Sequence, residues 1–434
     1  MSMRIAQVAG RRVWDSRGRP TVEAEVRLST GETGRAIAPA GASRGRGEAV
    51  DLRDGGPGFG GYDVRRAVAA VSGDISKALH GLDCTDQAAI DAALIELDGT
   101  ADKSRLGGNA IVAVSMAVAH AAAAAHTMPL WQYLGNGHRD HRLPLPEIQI
   151  FGGGAHAGRR VDVQDFMVIP RGAGSYAQAL DWSAEVYRAA GELLEAEGLL
   201  AGVADEGGWW PAFDSNEQGL DYLLRAIERA GLRPGEDVGI SLDIAAGELQ
   251  REGRYHLARD GRELDSDGLC ELLLAWLRRY PILAIEDPLA EDDADVLARF
   301  TAGAGDVVEV VADDFVCTNG ARIESAAAMG ACNAALIKPN QAGTLTETRA
   351  ALEAARRAGW NAIASARSGE SEDVTIVHLA VGWDVEQLKV GSFSRSERMA
   401  KWNEGLRIAE ALEGSGALPP NQKFPWGRPR GQVG

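Results

Sequence analysis

ILAIEDPL (Ile282–Leu289) and VEVVADDF (Val308–Phe315) belong to a set of six short apolar runs, each with a charged residue at or near its end. The other four are VGISLDIA (Val238–Ala245), AALIKPNQ (Ala334–Gln341), NAIASARS (Asn361–Ser368) and QLKVGS (Gln387–Ser392). Most of these runs are followed by a helical pattern. Continuous apolar strands separated by helices predict a parallel sheet covered on both faces.

Two earlier apolar runs, VQDFMVIP (Val163–Pro170) and LLAGVADEGG (Leu199–Gly208), extend the series. So many strands, spaced by about one βα unit, favour an α/β fold with a closed (β/α)8-type barrel over an open sheet. The carboxyl ends of barrel strands converge on one mouth. The charged residues predicted to meet there are Asp243, Glu286, Asp313, Lys338, Arg367 and Lys389.

The residues before the barrel predict a smaller α+β domain over 1–134. RPTVEAEVRLSTG (Arg19–Gly31) alternates apolar and polar residues as a strand does, and three helical patterns follow, near Tyr62–Leu82, Thr85–Leu97 and Asn109–His126. A polar stretch over 135–142 is typical of a linker, which places the barrel domain at 143–416. The Pro- and Gly-rich tail over 417–434 is predicted to be loose.

The composition excludes several classes of protein. The chain has 434 residues and a formal net charge of −17, which argues against nucleic-acid or acidic-membrane partners because these need basic surfaces. The four cysteines form no CxxC pair, and the N-terminus has no apolar signal region, so we expect a cytoplasmic protein. The apolar run Ala110–Ala125 is too short and too weakly hydrophobic to span a bilayer and predicts a buried helix.

Three carboxylates are expected at the barrel mouth. Asp243, Glu286 and Asp313 each close an apolar strand, where unpaired carboxylates would repel one another. A hard divalent cation with oxygen ligands resolves that repulsion, so the pattern predicts a Mg²⁺ site. Each carboxylate taken alone could equally be a helix cap or a salt-bridge partner.

Two lysines end strands at the same mouth. A lysine near a metal and a second cation has a lowered pKa and can act as a base, which makes Lys338 and Lys389 candidates. The alternative is that one of them mainly balances the carboxylates.

Further candidates lie in loops near the mouth. Glu206, in the Gly-rich stretch VADEGGWWP, could be a general acid on the side of the substrate opposite a lysine, or an ordinary loop acid. Arg367 and Ser368 suit bidentate binding of phosphate or carboxylate. His156 lies in the glycine loop FGGGAHAG near the mouth, where it could take part in catalysis or binding, or be structural.

The chain resembles the enolase family over nearly its whole length. The matching segments include DSRGRPTVEAEV (Asp15–Val26), ADEGGWWP (Ala204–Pro211), IEDPLAEDD (Ile285–Asp293), LIKPNQAGTLTET (Leu336–Thr348), SARSGESED (Ser365–Asp373) and LKVGSFSRSERMAKWNE (Leu388–Glu404). The resemblance implies an α+β domain before an α/β barrel, two Mg²⁺ ions, a 2-phosphoglycerate-like substrate and a homodimer or higher homo-oligomer.

The resemblance also implies a role for each matching position. Asp243, Glu286 and Asp313 match the ligands of the tighter Mg²⁺, and Ser43 matches a ligand of the second Mg²⁺. Lys338 matches the base, Lys389 the lysine that pairs with the substrate carboxylate, and Glu206 the acid, with Asp165 beside it. His156 matches a loop histidine near the phosphate, and Arg367 with Ser368 matches the pair that binds the phosphate.

Several positions depart from the family pattern. Ala366 replaces a histidine near the leaving group, Asp165 replaces a longer glutamate, and Gly152 replaces an asparagine. The mobile loop has gained Arg44 and Arg46, and Arg19 is new in the first matching segment; Ala40 replaces a serine. Arg44 is therefore a candidate for binding an additional anionic group of the substrate.

These departures lead to three hypotheses. The first is a specialised paralog similar to carboxyphosphonoenolpyruvate synthase of phosphonate and phosphinate antibiotic biosynthesis, with a changed leaving group or an additional anionic reactant. The second is an ordinary enolase that converts 2-phosphoglycerate to phosphoenolpyruvate in glycolysis. The third is an inactive enolase-fold binding protein. In the first two, the partner is a small anionic phosphate or carboxylate.

Overall fold

The computed structural model describes residues 3–42, 45–138, 141–412 and 416–428, and it begins with a three-stranded antiparallel sheet packed on helices. The elements of this domain are β1 (Ile5–Trp14), β2 (Pro20–Leu28), β3 (Thr33–Ile37), α1 (Arg65–Ala70), a π-helical turn (Val71–Ile75), α2 (Ser76–Leu79), α3 (Gln87–Asp98), α4 (Gly108–Ala125) and α5 (Leu130–Leu134). They confirm the predicted strand and the three predicted helical segments.

Helix α4 is the core of this domain and lies against β2 and β3. Its alanine-rich surface lets the backbones approach closely: a Cβ added at Gly34 would lie 2.1 Å from the backbone nitrogen of Ala121. Among the described residues, α4 is the helix whose length and composition would suffice to cross a membrane. However, 83% of that window is buried inside the molecule, which is typical of a core helix.

The rest of the chain forms a barrel with helices around it. Its strands are β4 (Leu145–Gly152), β5 (Asp165–Ile169), β6 (Leu200–Val203), β7 (Trp209–Pro211), β8 (Gly239–Asp243), β9 (Gln250–Arg251), β10 (Arg254–Leu257), β11 (Arg262–Leu264), β12 (Ile282–Glu286), β13 (Glu309–Ala312), β14 (Ala334–Ile337), β15 (Asn361–Ser365) and β16 (Gln387–Ser392). Its helices are α6 (Tyr176–Ala196), α7 (Asn216–Arg229), α8 (Ala246–Leu249), α9 (Ser266–Arg279), α10 (Ala294–Ala304), α11 (Gly320–Ala328), α12 (Pro339–Ala342), α13 (Leu345–Arg357), α14 (Thr375–Gly382) and α15 (Ser396–Ala411).

Eight of these strands close the predicted barrel, in the order β4, β5, β8, β12, β13, β14, β15 and β16, and β16 pairs with β4. The prediction of an all-parallel sheet is wrong at one strand, because β5 runs antiparallel to both β4 and β8. The link from β4 to β5 contains only a short 3-10 turn, Gly154–Ala157, and a parallel crossover normally needs a covering helix. As a result, the first residue of β5, Asp165, lies at the same mouth as the carboxyl ends of the other strands.

The predicted run Leu199–Gly208 is not a strand of the barrel wall. Its residues form β6 and the turn to β7, a hairpin that joins the sheet through a pairing of Trp209 with Phe151 of β4. Glu206 lies in the turn of this hairpin, and its backbone oxygen accepts a hydrogen bond of 2.9 Å from the nitrogen of Ser392. The hairpin is thereby held over the mouth.

The end of the barrel opposite the mouth is covered by the C-terminal segment. Phe424 has no exposed surface and packs in a cluster with Leu145, Ile169 and Leu283, which lie at that end of their strands. The loose tail predicted from residue 417 is therefore wrong for the described part of that segment, because the barrel offers an apolar pocket that its sequence alone does not reveal.

A buried aspartate joins the two domains. Asp91 of α3 accepts hydrogen bonds from the backbone nitrogen (2.9 Å) and the hydroxyl (2.6 Å) of Thr346, in the first turn of α13. Its other oxygen accepts a bond of 2.7 Å from Ser115 of α4. These contacts satisfy free N–H groups at the start of a barrel helix from the neighbouring domain.

Candidate active site

Three carboxylates lie side by side at the barrel mouth, where the sequence predicted them. Asp243 ends β8, Glu286 ends β12, and Asp313 directly follows β13; Glu286 is paired in register with Asp243. All three are at most 7% exposed. Burial raises the pKa of Glu286 well above its usual value, and the charge of Asp243 raises it further. Burial also acts to raise the pKa of Asp313, but Lys338 and Arg367 outweigh it and lower that pKa.

Both predicted lysines contact these carboxylates. Lys389 Nζ lies 2.5 Å from Glu286, 3.1 Å from Asp243 and 3.6 Å from Asp165. Lys338 Nζ donates a short hydrogen bond to Asp313. Lys389 lies inside β16 rather than at its end, but the pairing with β4 is interrupted by a bulge directly after it.

The lowered lysine pKa expected from the sequence is not found in the protein chain alone. Burial acts to lower the pKa of Lys338, but Asp313 outweighs this and the pKa is raised. Burial likewise acts to lower the pKa of Lys389, and Asp243 and Glu286 raise it well above its usual value. The ammonium groups are stabilised because anionic neighbours outnumber cationic ones.

The carboxylates suit a hard cation by their chemistry. Asp243, Glu286 and Asp313 offer only oxygen donors. The buried Oε1 of Gln164 has no hydrogen-bond partner among the described residues, although its Nε2 donates to Asp243 at 3.0 Å. Among the described residues, no group whose ligand atoms all lie within 4.8 Å of one another contains all three of these carboxylates. The ammonium group of Lys389 contacts Asp243 and Glu286, whereas Asp313 is paired with Lys338.

One of the groups that do meet this distance contains Asp287, a residue the sequence analysis missed, with Asp313 and Asp314. The two oxygens of Asp287 accept hydrogen bonds of 2.9 Å from the backbone nitrogens of Asp313 and Asp314. Asp287 therefore fixes the turn that presents Asp313. In the sequence, Asp287 is visible as the second acid of the run IEDP, but the sequence alone cannot distinguish this supporting role from that of a metal ligand.

A second group forms the opposite wall. His156 Nδ1 lies 3.4 Å from Asp165 and 3.9 Å from Glu206, without an aligned hydrogen bond. Burial acts to lower the pKa of His156, but Glu206 and Asp165 raise it to about 9, so the ring is protonated at neutral pH. Burial acts to raise the pKa of Asp165, but His156 outweighs it and the pKa falls to about 2. The imidazole of His156 therefore carries a proton beside the carboxylates of Asp165 and Glu206.

The predicted phosphate-binding pair lies between these two walls. Ser368 Oγ is 3.2 Å from His156 Nε2, and Arg367 forms a bidentate contact with Glu48 at 3.0 and 3.2 Å. The sequence analysis missed Glu48, as well as Arg398, whose fully buried guanidinium donates bonds of 2.7 Å to the backbone oxygens of Arg367 and Ser368. Both partners come from distant parts of the chain, so only the folded structure brings them together.

Gln341 is a further residue that the sequence analysis missed. Its Nε2 donates to Asp313 at 2.9 Å and to Glu48 at 3.2 Å, and its Oε1 accepts a bond of 2.6 Å from Thr318. Thr318 in turn accepts a bond of 2.9 Å from the backbone nitrogen of Lys338. The network therefore links a carboxylate, a lysine and the N-terminal domain.

The predicted loop residues Ser43 and Arg44 lie outside the described residues. On one side of them, Ala42 donates a backbone hydrogen bond of 3.2 Å to Ser368 Oγ. On the other side, Arg46 makes an exposed bidentate contact at 3.1 Å with Asp292, in the loop that follows β12.

Two further departures are placed by the structure. The guanidinium of Arg19 lies over the ring of Tyr62, 4.2 Å from its centroid. Ala366 lies between β15 and the phosphate-binding pair in the sequence. Its backbone nitrogen donates a hydrogen bond of 2.9 Å to the backbone oxygen of Lys389. The side chain beside the phosphate-binding pair is therefore the methyl group of Ala366, where the family pattern has a histidine.

Two family models match this chain. The model described as the enolase N-terminal domain matches residues 5–134, and the model described as the enolase C-terminal TIM barrel domain matches residues 140–423. The matched ranges correspond to the antiparallel domain and the barrel described above, and together they cover nearly the whole chain.

Proposed function

The chain belongs to the enolase family, and from that premise we propose that it is a Mg²⁺-dependent lyase acting on a 2-phosphoglycerate-like substrate to give an enolpyruvate product. We propose further that it is a specialised paralog similar to carboxyphosphonoenolpyruvate synthase. The observation that carries this finer proposal is Ala366: the lysine and carboxylate side of the mouth is complete, whereas a methyl group stands beside the phosphate-binding pair.

Asp243, Glu286 and Asp313 would hold the cation. When bound, Mg²⁺ supplies positive charge that stabilises the dianion formed when a proton leaves the carbon next to a carboxylate. All three are buried, two at the ends of strands and Asp313 directly after one.

The two lysines beside the carboxylates have different roles. Lys338 removes the α-proton with its neutral amine. The amine is neutral only when the charge of Asp313 no longer raises the pKa of Lys338, as when Asp313 binds Mg²⁺. Lys389 stays protonated among its carboxylates and pairs with the carboxylate of the substrate.

The opposite wall acts on the leaving group. Glu206 assists its departure as an acid, with Asp165 and the protonated His156 beside it. Ser368 and Arg367 bind the phosphate, and Arg367 does so while Glu48 orients its guanidinium. The side chain of Ala366 cannot donate or accept a proton. We therefore propose that the leaving group differs from that of 2-phosphoglycerate, or that a second anionic reactant takes part. We propose that Arg44 binds this additional anionic group.

The deciding experiment is the absorbance assay for phosphoenolpyruvate formation from 2-phosphoglycerate with Mg²⁺. The specialised paralog should show kcat/KM below the usual enzyme range of roughly 10⁴–10⁸ M⁻¹s⁻¹, with Mg²⁺ binding intact by calorimetry. Turnover within that range would instead establish the second candidate, an ordinary enolase, which the complete lysine and carboxylate set favours. Absence of both Mg²⁺ binding and α-proton exchange would leave the inactive binding protein.

A further inference from the structure

A cavity among the described residues lies away from the barrel mouth. It has a volume of about 580 Å³ and lies where the N-terminal domain meets the outside of the barrel, between α3, α4 and α5 on one side and α13 on the other. None of the proposed catalytic, metal or substrate-binding residues lines it. A ligand in this cavity would therefore not compete with a substrate at the mouth.

The walls of the cavity are mainly apolar and aromatic. Leu134, Met128 and Leu345 supply aliphatic surface, and Trp383 and Tyr133 supply ring surface. A concave apolar pocket with a few polar groups is the usual form of a small-molecule site, because it removes most of a ligand's apolar surface from water.

The polar residues of the lining include Gln87, His126 and Thr346, and Arg349 adds a guanidinium group. Arg349 donates only through Nε, to Glu353 at 2.9 Å, and its two terminal nitrogens make no hydrogen bond to the described residues. The guanidinium lies 5.5 Å from the centroid of the Trp383 ring, which holds it beside the aromatic wall. Its free edge has the two parallel donors that match a carboxylate or sulfonate.

The local charge also favours an anion. Glu353 is shared by Arg349 and Arg356, since Arg356 Nη1 lies 3.2 Å from the same oxygen. The three side chains together carry one positive charge, although the whole chain carries a formal charge of −17. One free guanidinium edge beside apolar walls selects a ligand with one charged end and one apolar body.

We propose that this cavity binds a small amphipathic monoanion, an aromatic or short acyl acid whose charged end meets Arg349 and whose body lies against Leu134, Trp383 and Tyr133. The proposal is independent of the reaction at the mouth. The bound molecule would contact both domains, because Thr346, which bonds to Asp91 of the N-terminal domain, lines the same cavity.

The test uses naphthalene-1-sulfonate as the probe, titrated against the full chain by calorimetry. Naphthalene-1-sulfonamide is its uncharged analogue, and sulfate represents the charged end alone. We expect saturable one-to-one binding of the sulfonate, binding of the sulfonamide at least about tenfold weaker, and no binding of sulfate below about 10 mM. The sulfonate should also raise the thermal midpoint of unfolding.

Three variants locate the site. Arg349→Gln should weaken sulfonate binding by about tenfold or more and leave the sulfonamide unchanged, whereas Ala88→Trp, on the exposed rim of α3, should weaken both. Arg357→Gln is the matched control, since Arg357 lies on the same helix but pairs with Glu324 at 2.7 Å. No saturable binding below about 1 mM, or an equal loss in Arg349→Gln and Arg357→Gln, would overturn the proposal.

Discussion

Replacing Glu309 by glutamine should stabilise this protein, and the gain should increase as the pH rises. Glu309 begins β13, has no exposed surface, and accepts a hydrogen bond of 2.6 Å from Asn361 through one oxygen. The other oxygen has no hydrogen-bond partner among the described residues. Burial raises the pKa of Glu309 to about 8, with Glu147 and Glu386 adding to the effect.

The sign and size of the effect follow from proton linkage. The folded state keeps a proton on Glu309 that the unfolded chain has already lost above its usual pKa of 4.5. The stability contribution of this proton is complete below that pKa and is lost as the pH rises through about 8. One pKa step corresponds to about 1.4 kcal/mol, so the loss is at most about 5 kcal/mol. Glutamine keeps an oxygen for Asn361, adds an amide donor and has no proton to lose.

Urea unfolding at pH 5.5, 7.0 and 8.5 measures this difference. The free energy of unfolding of Glu309→Gln relative to the unmodified protein should rise by about 2–5 kcal/mol from the lowest to the highest pH. Glu228→Gln, an exposed position on α7, should show no such trend. A constant difference between Glu309→Gln and the unmodified protein over this range would show that Glu309 is not protonated in the fold.

Three further outcomes are expected. Lys338→Ala should abolish solvent deuterium exchange at the α-carbon of 2-phosphoglycerate, measured by NMR; continued exchange would exclude Lys338 as the base. Ala366→His should raise the rate of 2-phosphoglycerate dehydration by about tenfold or more if the missing imidazole limits it, and an unchanged rate would refute that cause. Asp91→Ala should lower the free energy of unfolding by about 2–4 kcal/mol in denaturant titration, because it leaves buried donors unpaired. Its control Glu96→Ala, exposed on the same helix, should change it by less than about 0.5 kcal/mol.

Much of the fold could be predicted because the strand pattern is local. Apolar runs that each end in a charge, such as Val238–Ala245 and Ile282–Leu289, indicated both the barrel and the side on which its mouth lies. The reversed direction of β5 could not be predicted in this way, since a run of five buried residues has the same pattern in either direction. The packing of Phe424 depends on an apolar surface assembled from several strands.

The candidate site was predicted to a similar extent. Residues at strand ends, such as Asp243 and Glu286, could be identified because the end of an apolar run is visible in one dimension. Glu48 and Gln341 carry no such signal, because each is one polar residue in an ordinary loop or turn until the fold places it beside Arg367 or Asp313.

The sequence by itself determined the barrel, the α+β N-terminal domain, and which charged residues end the strands, since these depend on periodicity and on residue type. Only the tertiary structure decided which charges neutralise one another. The pKa of Lys338 is an example: the sequence predicted a lowered value from nearby cations, whereas in the fold the charge of Asp313 outweighs the effect of burial and raises it. The physical reason is that electrostatic energy depends on distances across the barrel mouth and on exclusion of water, and neither quantity exists before the chain folds.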